Sequence, residues 1–156
     1  MDKLQKALDV FGDSYIDEID KILRGKDKVA TGKLLKSLDT RVIKTGFGTS
    51  YTLKLVAEEY LKYVDEGRRA GAKAPPIQPI KDWARAKGLD EGLAFPIAKS
   101  IGEKGIKPTN VIEEAFNNVI RGAEGRRLED GVSDWVDDLI LDRMKGLSKN
   151  KNITFK

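Results

Sequence analysis

The 156-residue sequence contains no cysteine and no histidine. Without cysteine, a disulfide scaffold, a thiolate nucleophile and a thiolate metal site are excluded. Without histidine, the chain lacks imidazole ligands for zinc or haem, the Ser-His-Asp triad and the side chain that most often transfers protons near neutral pH. Any catalysis would therefore have to use carboxylates, lysine, tyrosine or serine.

Long apolar runs are also missing. The longest, residues 93–98, has six residues and contains Pro96, whereas a membrane-spanning helix needs about 20. The first six residues, Met1-Asp-Lys-Leu-Gln-Lys, are not followed by the apolar segment of a signal peptide. We therefore expect a soluble protein with no membrane partner.

Motifs that would carry chemistry are absent as well. The glycine-rich residues 67–74 lack the spacing and the final hydroxyl of a phosphate-binding P-loop. Asp13, Asp17 and Asp20 share a helix face, but three such carboxylates rarely complete the coordination shell of a cation. We therefore assign no catalytic, cofactor-binding or metal site and expect a protein that is not an enzyme.

The charges are separated along the chain. Lys and Arg number 29 and Asp and Glu 25, a net charge of +4. Residues 24–54 carry eight basic and two acidic residues, residues 129–142 six acidic and no basic ones, and residues 143–156 only basic ones. Such blocks are typical of surfaces that meet nucleic acid or a charged neighbouring subunit, and ordinary solvated faces are an equal alternative.

Apolar periodicity predicts a mainly helical α+β fold. Helical spacing from Leu4 to Leu23 predicts a long N-terminal helix that ends at Gly25. Alternation in residues 38–43 and 51–55, around a loop with glycines, predicts an antiparallel β-hairpin, which must pack on helices or join strands of another chain.

Further helices are predicted along the rest of the chain. They cover residues 58–66, 77–87, 93–103 with Pro96 in the first turn or at a kink, 110–121 with a capping-box-like start at Asn110 and Glu113, and about 128–147. Residues 122–127 predict a polar hinge. We thus expect an α+β domain over 1–121, an appended acidic helix over 122–147 and a flexible basic tail over 148–156.

A basic loop lies between the predicted helices at residues 58–66 and 77–87. It carries Arg68, Arg69 and Lys73, which flank Tyr60, Tyr63 and Trp83 in sequence. Basic side chains with interleaved aromatics can contact nucleic-acid phosphates or an acidic neighbour. We take these three cations as candidate partner or DNA-phosphate contacts, although a solvated loop is as good an interpretation and core packing is the better one for Tyr60 and Trp83.

The order of these segments resembles a known family. The segments that carry the resemblance are ATGKLLKSL (30–38), the hairpin, YLKYVDEGRR (60–69), APPI (74–77), IKDWARAKG (80–88), AFPIAKSI (94–101) and GIKPT (105–109). Together they are similar to the tail-completion or head–tail joining proteins of tailed bacteriophages, which include minor tail and neck proteins. The resemblance spans residues 30–120, and residues from Gly122 onward depart from it.

The resemblance implies a structural protein of the virion, assembled in the host cytoplasm. Its subunits would form a homo-oligomeric ring in the neck, between the portal or adaptor and the tail tube, terminator or hub. The ring would surround the channel of packaged double-stranded DNA and contact that DNA non-specifically. It implies no catalytic residue and no cofactor.

Charge separation adds a hypothesis about the subunit contacts. Asp134, Asp137, Asp138 and Asp142 form a candidate inter-subunit acidic surface, which could face the basic residues 24–54 of the next subunit. A basic nucleic-acid-binding accessory protein is the alternative function. A carboxylate-dependent enzyme is a third, weaker one.

Overall fold

The computed structural model describes residues 2–27, 32–46 and 50–150. Thr31, the hairpin tip at residues 47–49, the side chains of Tyr60 and of residues 147–150, and residues 151–156 of the predicted basic tail lie outside the described part. The elements in chain order are α1 (Lys3–Gly25), α2 (Lys33–Ser37), β1 (Asp39–Thr45), β2 (Ser50–Val56), α3 (Tyr60–Asp65), α4 (Ile77–Ala86), a 3-10 turn (Glu91–Leu93), α5 (Ala94–Lys104), α6 (Val111–Ile120) and α7 (Ala123–Asn150). The predicted α+β fold, mainly helical with one small antiparallel sheet, is confirmed.

Helix α1 is the centre of the main core. Asp2 caps its N-terminus by accepting a hydrogen bond from the Gln5 backbone nitrogen at 2.8 Å. Most of its predicted apolar stripe is buried, with Phe11, Ile19 and Leu23 at most 1% exposed, while Leu8 and Ile16 are half-buried. The other core side chains come from α2, α3 and α6, with partly buried side chains from the hairpin and α7.

The hairpin packs on α1. Strands β1 and β2 pair in antiparallel register, with Val42 opposite Leu53, and their half-buried side chains alternate with exposed ones. Gly12 of α1 makes this contact possible, because a Cβ there would overlap the Thr40 side chain and come within 3.3 Å of Leu53 Cδ1. The hairpin is therefore seated on a helix, which is one of the two arrangements expected.

The start of α6 differs from the prediction. Asn110 has a left-handed backbone, and its side chain caps no backbone nitrogen. Instead, Asp65 Oδ1 accepts a hydrogen bond from the Ile112 nitrogen at 2.9 Å, and the Asp65 carbonyl accepts from Thr109 and Asn110. The predicted capping box is wrong because the end of α3 supplies the cap from a distant part of the sequence.

Helices α4 and α5 form a second, smaller apolar cluster. Ile80, Ala94 and Ala98 are its buried members, and Ile97 and Ile101 pack against them. Pro96 lies in the first turn of α5, the first of the two arrangements expected, where its missing N–H costs no helical hydrogen bond.

Helix α7 begins earlier than predicted. The predicted hinge over residues 122–127 is wrong, since α7 starts at Ala123 and continues to Asn150. Gly125 is buried there, and a Cβ would overlap the Ile120 carbonyl at the end of α6. Gly125, within the segment predicted as a hinge, instead allows the start of α7 to pack closely against the end of α6.

Candidate interaction surfaces

The predicted basic loop is held at two points in its first half. Arg68 and Ile106 form an antiparallel bridge with two 2.8 Å backbone hydrogen bonds, and the Gly71 nitrogen donates to the Gly102 carbonyl at 2.8 Å. The bridge requires a close backbone approach at Gly105, whose φ is +74° and where a Cβ would overlap the Arg68 carbonyl. The loop is thus fixed to α5 and to the connection that follows α5.

The three predicted cations of this loop have different environments. Arg68 is half-buried, donates to the Lys73 carbonyl and places its guanidinium carbon 5.3 Å from the Tyr63 ring centre. Its Nε is buried without an acceptor among the described residues. Arg69 and Lys73 are exposed. The structure therefore places Arg68 as a brace of the loop and leaves Arg69 and Lys73 available for contacts.

A groove lies between this loop and α5. Its volume is about 450 Å³. Its lining residues are Gly71, Ala72, Ala74, Pro75, Ile77, Phe95, Ala98, Lys99, Gly102 and Glu103. Phe95 is 66% exposed, the largest value among the large apolar side chains described as exposed. The sequence contains two indications of this groove, the Pro75-Pro76 loop and the Phe95-Pro96 start of α5. That these two segments lie side by side is a feature of the tertiary structure.

The predicted acidic surface is only partly free. Asp134 forms a 2.8 Å salt bridge with Lys3 of the same chain, and this carboxylate raises the pKa of Lys3. Asp137, Asp138 and Asp142 are exposed. These three carboxylates, rather than all four, are open to another molecule.

Helix α7 also carries an exposed apolar stripe. Its members recur every four residues and are Val132, Val136, Ile140 and Met144, which are 40% to 61% exposed. Beside it, Trp135 is half-buried and meets the Tyr51 ring edge-on at 5.7 Å. The apolar spacing was visible in the sequence, but the exposure of these four side chains was not.

A polar cluster joins the chain's beginning to the hairpin. The Asp2 carboxylate accepts hydrogen bonds from Lys44 Nζ at 2.8 Å and from the Tyr51 hydroxyl. These bonds lower the pKa of Asp2 to about 2, while the pKa of Lys44 is raised. The spacing Asp2-x-x-Gln5 resembles a capping box and was the available signal for the helix cap, whereas nothing local pointed to Lys44 or Tyr51.

Tyr15 is a buried side chain of the main core. Burial, followed by the nearby Asp65 charge, raises the pKa of Tyr15 to about 12, and its hydroxyl donates to the Ile112 carbonyl at 3.0 Å. This tyrosine therefore stays protonated as a core hydrogen-bond donor. Among the described residues, no group of three or more acidic side chains is arranged to hold a metal ion.

Within the described ranges, no helix has the length and apolarity needed to cross a membrane. Three exposed surfaces are available for contacts with another molecule: the hairpin edges, the basic loop with its groove, and the exposed apolar stripe of α7.

Comparison of the chain with known protein families, with curated proteins and with solved structures found no match.

Proposed function

We propose that the protein is a ring-forming structural subunit of the neck of a tailed bacteriophage, a tail-completion or head–tail connector protein. It joins the portal or adaptor to the tail tube, terminator or hub and surrounds the DNA channel. The observation that carries the proposal is a two-stranded sheet with no third strand in the described part of the chain. The succession of segments that resembles the head–tail joining family supports it.

The hairpin edges favour assembly with other chains. An isolated two-stranded sheet is marginally stable, and an exposed edge is a template for pairing with another strand. The hairpin is seated on α1 by one face only, and Ile43 on the other face is 42% exposed. Strands from neighbouring subunits would pair the edges and place their own side chains beside Ile43 on this face.

The charge distribution favours a head-to-tail contact. Exposed cations Arg69 and Lys73 lie on the loop, while exposed carboxylates Asp137, Asp138 and Asp142 lie on α7. Two different surfaces of opposite sign form a heterologous contact, which closes into a ring when the rotation between subunits allows it. In this function the protein performs no chemistry, is located in the virion neck and is assembled in the host cytoplasm.

A DNA-binding accessory protein is the second candidate. The observation that favours it is the exposure of Arg69 and Lys73, which have no carboxylate partner among the described residues. Binding of this kind would weaken steeply with salt, with a slope set by the number of phosphates contacted.

Native mass spectrometry of the purified protein, alone and with portal or connector proteins, tests the two functions. The neck function predicts a closed ring or a complex with a portal-type partner. A fluorescent double-stranded DNA titrated at several salt concentrations is the parallel measurement. A protein that remains monomeric with every connector component but binds DNA with a steep salt slope would contradict the neck function and support the alternative.

A further inference from the structure

Helix α7 continues beyond the point at which α1 begins. Gly131 lies against Leu4 and Ala7, and Asp134 pairs with Lys3, the first residue of α1. The two helices therefore run antiparallel. The residues of α7 that follow Asp134 extend away from the first turn of α1.

The paired strands of the hairpin lie in the opposite direction. Thr40 of β1 lies against Gly12 in the middle of α1, whereas Lys44 pairs with Asp2 at the start of α1. Strand β1 therefore runs along α1 toward its N-terminus, and β2 returns from there alongside β1. The body of β2 thus lies behind the start of α1, and the end of α7 lies in front of it.

This arrangement separates residues 151–156 from the hairpin of their own subunit. Trp135 of α7 meets Tyr51 near the start of β2. At about 1.5 Å per residue, α7 carries the backbone about 22 Å farther, to Asn150. Six extended residues span at most about 21 Å. Residues 151–156 can therefore reach back no farther than Tyr51 and cannot lie along the rest of β2.

Residues 151–156, Lys-Asn-Ile-Thr-Phe-Lys, have the sequence pattern of a short strand. Ile153 and Phe155 alternate with Asn152 and Thr154, and β-branched and aromatic residues are enriched in strands. The segment contains neither proline nor glycine. A strand with one apolar face needs a sheet to pair with, because isolated strands are not stable in water.

The free edge of β2 matches this pattern. The seven residues of β2 pair with β1 on one side only. Within the described residues, no backbone group of another element forms a hydrogen bond with the other side. Leu53 and Leu55 pack against the main core but are only half-buried. An added strand would place its own alternate side chains beside them.

We propose that residues 151–156 of one copy of this chain pair, as a third strand, with the free edge of β2 in a neighbouring copy. The apolar side chains of the segment lie beside Leu53 and Leu55, and the polar ones face solvent. Main-chain hydrogen bonds supply the affinity, and the alternation supplies the specificity. The reach of the segment excludes the β2 edge of its own subunit, whereas every other copy presents the same edge.

This contact is heterologous, because the segment and the edge are different surfaces of the chain. Repeated head-to-tail pairing closes into a ring or continues as a filament. The proposal rests on the proposed ring-forming function and names the strand that joins one subunit to the next.

The first test compares two double substitutions that make the same charge change on opposite faces of the segment. Ile153→Asp with Phe155→Asp removes the apolar face, and Asn152→Asp with Thr154→Asp alters the polar face. In sedimentation velocity we expect the first variant to weaken self-association about tenfold or more, because two apolar contacts are lost, and the second to change it less than about threefold. Both variants should keep the urea midpoint of the wild-type subunit measured at low protein concentration.

The second test uses the absence of cysteine, since an introduced cysteine is the sole thiol. Thr154→Cys is mixed with Thr52→Cys or with Lys54→Cys, whose positions are exposed on β2, and oxidised with copper–phenanthroline in air. A disulfide needs Cα atoms within about 7 Å. We expect disulfide-linked pairs that contain one of each variant.

The control for this test is Arg41→Cys. Arg41 is exposed on β1 directly opposite Lys54, one strand farther from the proposed site. Neighbouring strands lie about 4.8 Å apart, so a third strand beside β2 is about 10 Å from β1. The yield of mixed disulfide with Arg41→Cys should therefore be several-fold lower.

Two results would overturn the inference and leave the neck function in place. One is a ring, or a complex with portal, that forms equally well with Ile153→Asp and Phe155→Asp. The other is an equal yield of mixed disulfide through positions 41, 52 and 54. A chain that stays monomeric alone and with every connector component would instead overturn both proposals, so the two failures are distinguishable.

Discussion

At the scale of single residues, one carboxylate connects the start of the chain to the hairpin. Asp2 caps α1 through Gln5, and its second oxygen accepts hydrogen bonds from Lys44 and Tyr51. A helix N-terminus also favours a negative charge electrostatically. Asp2 therefore stabilises a helix end and the position of the hairpin at once.

We predict that Asp2→Ala lowers the free energy of unfolding by about 1 kcal/mol, since the cap is lost. Asp2→Asn should cost less, because asparagine keeps the cap and loses only the charge. Urea denaturation at neutral pH measures both. Asp13→Asn, at an exposed position of α1, is the control for removing a negative charge and should change stability little.

The Asp2 charge also predicts a pH dependence. Its pKa is about 2 in the folded protein against an ordinary value of 3.8. A lowered pKa stabilises the fold above the ordinary value, and this contribution is lost as the pH falls from about 4 to about 2. The stability difference between wild type and Asp2→Asn should shrink over that interval, and a constant difference would contradict the assigned interactions.

Asp65 has a comparable role between two helices. Its side chain caps α6 through Ile112, and its carbonyl accepts from Thr109 and Asn110. A local sequence pattern suggested Asn110 as the cap, but that residue adopts φ +50°. Capping patterns are local, whereas a cap that is distant in sequence depends on how α3 and α6 meet.

At the scale of elements, the bridge between Arg68 and Ile106 holds the basic loop on the α4–α5 unit. Gly105 allows the two backbones to approach. A side chain at this position would meet both an unfavourable backbone conformation and a steric overlap.

We therefore predict that Gly105→Ala destabilises the protein more than Gly71→Ala. Both glycines have positive φ, but a Cβ at Gly71 has no atom within 4 Å among those described. Gly71→Ala should cost about 1–2 kcal/mol from backbone conformation. Gly105→Ala should cost more, because φ +74° with ψ −171° is a conformation adopted almost only by glycine and because backbone atoms must also separate. Equal urea midpoints for the two variants would contradict a tight backbone approach at Gly105.

At the scale of the whole molecule, opposite charges lie on different elements. The net charge of +4 does not describe how the charges are distributed, since the chain has a basic loop and an acidic helix. Asp134 shows that part of the acidic surface is used within the subunit, through Lys3. The remaining carboxylates can act between subunits.

We predict that Asp137→Lys combined with Asp138→Lys weakens assembly strongly at low salt and only slightly at high salt. Screening explains this difference, because the Debye length falls from about 10 Å at 0.1 M to about 3 Å at 1 M salt. Native mass spectrometry and sedimentation velocity measure the assembly. Asp13→Lys with Asp17→Lys makes the same charge change on the exposed face of α1 and should leave assembly unaffected.

Local patterns predicted most of the elements. The stripe of α1, the alternation of the hairpin and the first-turn position of Pro96 all depend on neighbours within a few residues, and each is confirmed. The prediction of a hinge before α7 was wrong. A glycine-rich segment can indicate either flexibility or close packing, and the sequence does not distinguish the two. Periodicity also does not give the degree of burial, since Phe116 of α6 is 45% exposed although its ring contacts Phe11 edge-on.

By itself, the sequence determined the mainly helical α+β class and the separation of charges, because periodicity and composition are local properties. It also excluded every chemistry that requires cysteine or histidine. Tertiary structure alone decided that Arg68 braces a loop, that Asp134 is paired with Lys3, and that the apolar stripe of α7 is exposed. These features depend on contacts between residues far apart in the chain, and such contacts leave no periodic signal in the sequence.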